Sequence, residues 1–385
     1  MYSAVNNGNC TETITITDLE TLTGLTGGKG VVRIQADLDE ENDNNVDHTS
    51  FTETEGWKVT EFGICCQTYG TPYLRDTVFT GTIATGGVSG QVLDFTGSSG
   101  TRDLATLLAP GVGYFLEITS GTQEGQRFDV VSATGSGITV ANDTALNSKL
   151  APFNTVTGPP STSLAGASVV LRRHWTVDEM FPPTGFVATG DQATADQLQL
   201  FTGGTWTILY LHDDGGTPRW VDNFNDLISQ GGTVIAPGQG LFFNNRNSAK
   251  TLLTYGEVRQ NDFKRPLGTG HNLVSGGYPL DQSATGTRSR SMTLAANFFG
   301  SRDFKTADSF FVWKGDATPG LGTYDTYYLL MNGTAPTPSL LRWVRVGDSM
   351  ASPRGSEILL LENRAVFTRS AAGLATYGYS SPWNP

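Results

Sequence analysis

"TADQLQLF" at residues 194–201 and "TADSFFVW" at 306–313 lie 112 residues apart (306 − 194) and read as two versions of one segment. Their surroundings repeat as well. "WTVDEMF" (175–181) resembles "MTLAANF" (292–298) at an offset of 117 (292 − 175). "RWV" at 219–221 recurs at 342–344, and "PGQGLFFNNR" pairs with "PRGSEILLLENR", ending in Asn245-Arg246 and Asn363-Arg364. The order is kept and the spacing drifts by only a few residues, as in duplicated modules that differ by loop insertions.

The composition around the repeat is that of a strand-rich chain. Of 385 residues 38% are apolar and 16% charged; this is too apolar and too sparsely charged for a disordered chain, and long enough for two or three domains with cores of their own. Runs of Thr, Val, Ile, Phe and Tyr are punctuated by Gly, Pro, Asn and Asp at the close spacing of many short strands. The formal charge of −12 and the absence of a basic run argue against a nucleic-acid partner. No apolar run is long enough to predict membrane insertion. The start, "MYSAVNNGNC", lacks the basic and apolar regions of a signal peptide, which leaves open another route or a processed start. Cys10, Cys65 and Cys66 are odd in number, so one bridge from Cys10 to the vicinal pair would leave a thiol over. No Cys-x-x-Cys is present to hold zinc.

Residues 1–75 read as an N-terminal arm with an acidic loop. "TETITITDL" alternates strictly, with Ile14 and Ile16 on one face, and such a strand must find a sheet in its own chain or in a neighbour's. Downstream, Asp39, Glu41, Asp43, Asn45 and Asp47 place oxygen ligands at alternate positions, in the manner of a calcium loop. The loop lacks a central glycine, and Ser50 stands where a bidentate glutamate belongs. A calcium site and a solvated turn both stay open, and no other cofactor is expected. Residues 76–172 read as antiparallel hairpins, with strands near 113–119 and 126–132 and a helical turn in "RDLATLLAP". The repeat then divides the remainder into module copies at 173–265 and 266–385, with short helices near 221–229 and 294–299.

Gly238 and Gly240 in "IAPGQGLFFNNR" are followed by Phe242, Phe243 and Asn244 rather than a helix, so they punctuate a turn instead of cradling phosphate. "GDSMA" at 347–351 resembles an esterase nucleophile block, but Ser349 lies after all four histidines and inside the repeat. His174 reads as packed beside Trp175, and His212-Asp213-Asp214 as a hydrated turn with metal-ligand chemistry as the alternative. Paired carboxylates for glycoside hydrolysis are defined only by separation in space. Trp206, Tyr210, Trp220, Trp313, Tyr327, Tyr328 and Trp343 offer sugar-stacking surface, although most occupy strand positions suited to a core. In the tail, Tyr377, Tyr379 and Trp383 sit among Gly, Ser and Pro, a setting for interface anchors.

The stretch from "WTVDEMFP" through "TADQLQLF", "PRWV" and "IAPGQGLFFNNR" to "GHNLVSGGYPLD" resembles a family of β-rich proteins found mostly in Verrucomicrobia. Similar modules, with a "G-x-N-L-V" strand, an "A-D-x-Φ-x-Φ-W" strand and a "P-G-x-G-F" turn, occur in bacterial surface proteins. The resemblance spans roughly residues 110–365 and is most specific over 173–282. It implies an extracellular or cell-surface location and no particular activity.

The expected fold is all-β: an N-terminal strand arm, a hairpin-rich β domain and two tandem β-sandwich-like modules. The expected function is structural rather than enzymatic, a subunit of an extracellular or surface polymer whose N-terminal strand completes a sheet in the next copy. A phage or virion structural protein and a carbohydrate-binding surface protein are the alternatives. The expected partner is the chain itself, with a surface glycan as a second candidate.

Overall fold

A computed structural model of the chain shows an all-β protein of antiparallel sheets, one of them closed into a barrel. It describes residues 2–6, 12–16, 29–38, 49–96, 103–142, 159–202, 204–213, 215–224, 227–279, 298–314, 323–332, 340–347, 365–370, 375–379 and 381.

Near the N-terminus β1 (Tyr2–Asn6) pairs with β2 (Glu12–Ile16), placing Ile14 opposite Ala4 and Ile16 opposite Tyr2. Next come β3 (Lys29–Leu38), β4 (Thr49–Phe62), β5 (Cys65–Tyr69) and β6 (Tyr73–Leu74). These four do not form an arm, as the sequence suggested. They join sheets whose other strands come some 180 residues later, such as β5, which pairs Tyr69 with Leu241.

The hairpin-rich segment closes on itself. β7 (Thr77–Ser89), β8 (Val92–Thr96), β9 (Tyr114–Ile118), β10 (Arg127–Ala133), β11 (Gly137–Val140) and β12 (Ser168–Arg173) form a barrel in the order β10-β11-β8-β7-β12-β9, sealed by β9 against β10. Closure pairs every strand on both sides and leaves no edge. The expected helical turn is a 3-10 turn at Leu104–Leu107, whose Asp103 side chain accepts from the Ala105 N–H. Alternate residues of β9 should face water, yet all five are buried. Leu116 and Ile118 enter the barrel core, while Phe115 and Glu117 are covered from outside.

After the barrel come β13 (Trp175–Thr176), α1 (Val177–Met180), β14 (Gln197–Thr202), β15 (Thr205–His212), β16 (Arg219–Asp222), β17 (Val234–Ile235), β18 (Leu241–Asn245) and β19 (Lys250–Val258). Thr176 and Glu179 close a reciprocal capping box that starts α1. Where short helices were expected near 221–229 and 294–299, the described residues are strand, bend and turn in the first stretch and irregular at 298–299; residues 294–297 lie outside the described residues. Sheet β16-β15-β14-β18-β5 packs on sheet β3-β4-β19-β6 as a sandwich. Phe62 and Leu252 from one sheet meet Tyr69, Leu198, Leu241 and Phe243 from the other, and the Tyr69 hydroxyl lies 2.7 Å from Thr254 Oγ1 across the gap.

The second copy consists of β20 (Phe263–Leu267), β21 (Gly270–Ser275), β22 (Ser309–Trp313), β23 (Tyr324–Asn332), β24 (Leu340–Arg345), β25 (Ala365–Ser370) and β26 (Ala375–Tyr379). Its sheet β24-β23-β22-β25-β21 matches the five-stranded sheet of the first copy strand for strand. β20 therefore opens the second copy, although residues 263–265 were assigned to the first. Register identifies β25 as the counterpart of β18, because Phe367 lies opposite Phe311 as Phe242 lies opposite Gln199. The sequence had assigned that place to "EILLLENR", 357–364, which lies outside the described residues.

Corresponding residues are 205 apart before the barrel; after it they are 112 apart in the central strands β14 and β22, widening to 125 (367 − 242) at β18 and β25. Cys65 and Gly270 (270 − 65) each open a strand and have φ of 98° and 89°. Asp196 and Asp308 (308 − 196) both precede the central strand. The barrel is thus an insertion into the first module, after β6 and before the remainder.

Candidate binding surface and barrel junction

The barrel is fixed to the modules by buried charge. Glu117 on β9 meets Arg259, which follows β19, and both side chains are essentially inaccessible. Arg127 on β10 donates to the Pro237 carbonyl at 2.9 Å and to the Lys264 carbonyl at 2.8 Å. The Arg127 and Arg259 guanidinium carbons lie 5.4 Å and 5.3 Å from the centre of the Phe263 ring, within cation–π range. Burial pulls both guanidinium pKa values down to about 10, partly offset by Asp129 for Arg127 and by Tyr278 for Arg259, so both stay protonated at neutral pH. On β12, Arg172 pairs with Glu257 and donates to the Arg75 carbonyl at 3.0 Å. His174 is buried, its ring tilted at 37° to that of Phe115 with centres 4.8 Å apart and its Nε2 3.0 Å from Asp129 Oδ1.

Gly238 belongs to the same junction. Its φ is +76°, and a Cβ there would come 2.4 Å from the Phe263 ring. Turn conformation and close approach both require glycine, in agreement with the reading of "PGQG" as a turn.

A second feature lies where the two modules meet. Phe201 on β14 and Trp206 on β15 are cross-strand neighbours with ring centres 4.9 Å apart and planes at 59°. Trp313 on β22 and Tyr324 on β23 hold the same register in the second copy, at 4.8 Å and 58°. Phe242 joins the pairs, 5.9 Å from Trp206 and 6.0 Å from Trp313. The Trp313 indole N–H donates to the Cys66 carbonyl at 3.0 Å, tying the second module to β5 of the first. Phe242 is buried, whereas Trp206 and Tyr324 remain 43% and 40% exposed. Of the other aromatics that the sequence offered for stacking, Tyr210, Trp220, Tyr327, Tyr328 and Trp343 are buried in cores. Sequence reading missed the doubled pair because cross-strand partners are set by register; the signal was Phe201 and Trp313 at one repeat position.

The remaining candidates disperse. Ile14 and Ile16 lie on the β1–β2 hairpin. Tyr377 and Tyr379 lie on β26, which pairs with β20 of the same chain, opposite Arg265 and Phe263. A neighbouring subunit was expected to hold this tail; the chain's own β20 holds its strand, because the tail is the closing strand of the second module. "TYG" at 254–256 on β19 recurs at 376–378 on β26. Ser381 continues the docking, its N–H donating to Asp262 Oδ1 at 2.9 Å. Trp383, Ser349, Cys10 and the loop containing Asp39, Glu41, Asp43, Asn45 and Asp47 lie outside the described residues. Among the described residues, Cys65 and Cys66 form no disulfide and no three His, Cys, Asp or Glu side chains converge on one point. No helix there is long and apolar enough to cross a membrane.

These features define the class: an all-β protein of two sandwich modules with a barrel set into the first. No protein-family model matches the chain, and no curated protein matches it either.

Proposed function

We propose that the chain is a structural subunit of an extracellular or surface polymer, with no catalytic step of its own. The observation that carries this reading is the β1–β2 hairpin, which among the described residues forms a two-stranded sheet apart from every other sheet. An isolated hairpin is marginally stable in water and exposes strand edges on both sides. Addition to the sheet of another copy would stabilise it, with main-chain hydrogen bonds giving affinity and the Ile14/Ile16 face giving register. The donor is then a hairpin rather than the single strand first envisaged. A contact of this head-to-tail kind propagates instead of closing. The buried Glu117–Arg259 and Arg172–Glu257 pairs suit such a role, since they hold barrel and modules as one building block.

The test is light scattering behind size-exclusion chromatography on the full chain and on a chain lacking residues 1–26. A particle many times 41.1 kDa that falls to a folded monomer on deletion supports the proposal. A monomeric full chain, or a polymer indifferent to the deletion, overturns it.

A further inference from the structure

We propose that the doubled aromatic pairs, Phe201–Trp206 and Trp313–Tyr324, form a stacking platform for a neutral polysaccharide chain. This goes beyond the polymer reading and does not depend on it. Contact between the modules accounts for the inner rings: Phe242 is buried at the boundary and Trp313 is tied to the Cys66 carbonyl. It does not account for the outer rings, which keep matching exposure at equivalent positions of the two copies. A large aromatic left open at one position is ordinary; the same opening kept twice, in one register, marks a surface.

The chemistry beside the rings selects the ligand. Gln199 and Thr68 lie directly across from Phe242 on the neighbouring strands, and Thr326 lies across from Phe311, whose ring is 6.4 Å from Tyr324. Amides and hydroxyls both donate and accept, which matches sugar hydroxyls. The chain's charge of −12 further disfavours polyanions. Two equivalent stacking positions, linked through Phe242 and Trp313, suit a ligand that repeats its own unit, with the apolar faces of its sugar rings against Trp206 and Tyr324.

Isothermal titration and tryptophan fluorescence with cellohexaose, chitohexaose and maltohexaose test this, with a heparin hexasaccharide as the ionic contrast. At least one neutral hexasaccharide should bind and shift the emission, and the heparin fragment should not. Trp206→Ala and Tyr324→Ala should each weaken binding about tenfold, and the double variant should abolish it. Their melting temperatures should stay close to that of the parent, since both side chains are rim residues. The chain lacking residues 1–26 should bind as the full chain does, which separates this proposal from the assembly reading. Three results overturn it: no binding by any neutral hexasaccharide at millimolar concentration, binding that survives the double variant, or a change in particle mass with Trp206→Ala without any glycan effect.

Discussion

Asp196 and Asp308 perform the same task in the two modules. Each is buried, and each accepts a backbone N–H from nine residues earlier through Oδ2 at 2.8 Å, from Val187 and Phe299 respectively. Each also returns its own N–H to that residue's carbonyl, at 3.0 Å and 2.9 Å. Between the two ends the loops share several bonds. Asp191 Oδ1 accepts from Ala193 and Asp303 Oδ1 from Lys305, and the Thr189–Thr194 and Ser301–Thr306 hydroxyl pairs are both 2.8 Å apart. The "TAD" repeat is therefore a buried carboxylate fastening a loop to the central strand.

Asp196 has a second partner, the Arg246 N–H at 2.9 Å. Asp196→Ala leaves two N–H groups without their acceptor and should cost about 2–4 kcal/mol of stability. Asp196→Asn keeps one acceptor oxygen and should cost about half as much. Urea denaturation followed by tryptophan fluorescence measures both, and equal costs for the two variants would contradict this account.

Cys65 occupies a left-handed backbone conformation that its counterpart Gly270 adopts without strain. Cys65→Gly should raise stability by about 0.5–1 kcal/mol, the relief of strain exceeding the added freedom of the unfolded chain. Gly270→Ala should lower it by about 1 kcal/mol, although space is open around the position. Thermal melts of the two variants should shift in opposite directions.

The Glu117–Arg259 pair is a buried ion pair between barrel and module. Removing one partner strands a charge, so Glu117→Ala should destabilise the protein by about 3–5 kcal/mol. The double replacement Glu117→Met with Arg259→Met should recover most of that loss, because an apolar pair of similar volume needs no compensation. Chemical denaturation of the three variants as a set checks the pattern.

Burial raises the phenol pKa values of Tyr69 and Tyr278 above the ordinary range near 10, and the hydrogen bond from Thr254 only partly opposes this for Tyr69. A group whose folded-state pKa is raised stabilises the fold fully below its unfolded value and loses that contribution as pH climbs toward the folded one. Stability should therefore fall from about pH 10 upward. Phenolate absorbance should show these two of the 12 tyrosines titrating only on unfolding.

The β-rich class, the barrel hairpin around residues 114–133 and the duplication from residue 173 onward were all legible in the chain, since each is written in local alternation and turn residues. The aromatic platform was half legible: Trp206 and Trp313 were visible as candidates, but not their partners. Tyr324 lies across from Trp313 only because the two strands pair in one register, and register is a property of the sheet.

Residues near one another in sequence carry the local code, so the amino-acid order alone determined the strand-rich class, the barrel hairpin and the presence of a copied segment. Tertiary structure decided which strands belong together. β4 and β5 were read as an arm because the 97 residues from Thr77 to Arg173 (173 − 77 + 1) separate them from their module. A closed barrel satisfies its own strands, so it can be set into a sandwich without disturbing the sheet on either side. The strands it parts find each other through hydrogen bonds and a shared core, neither of which depends on the length of chain between them.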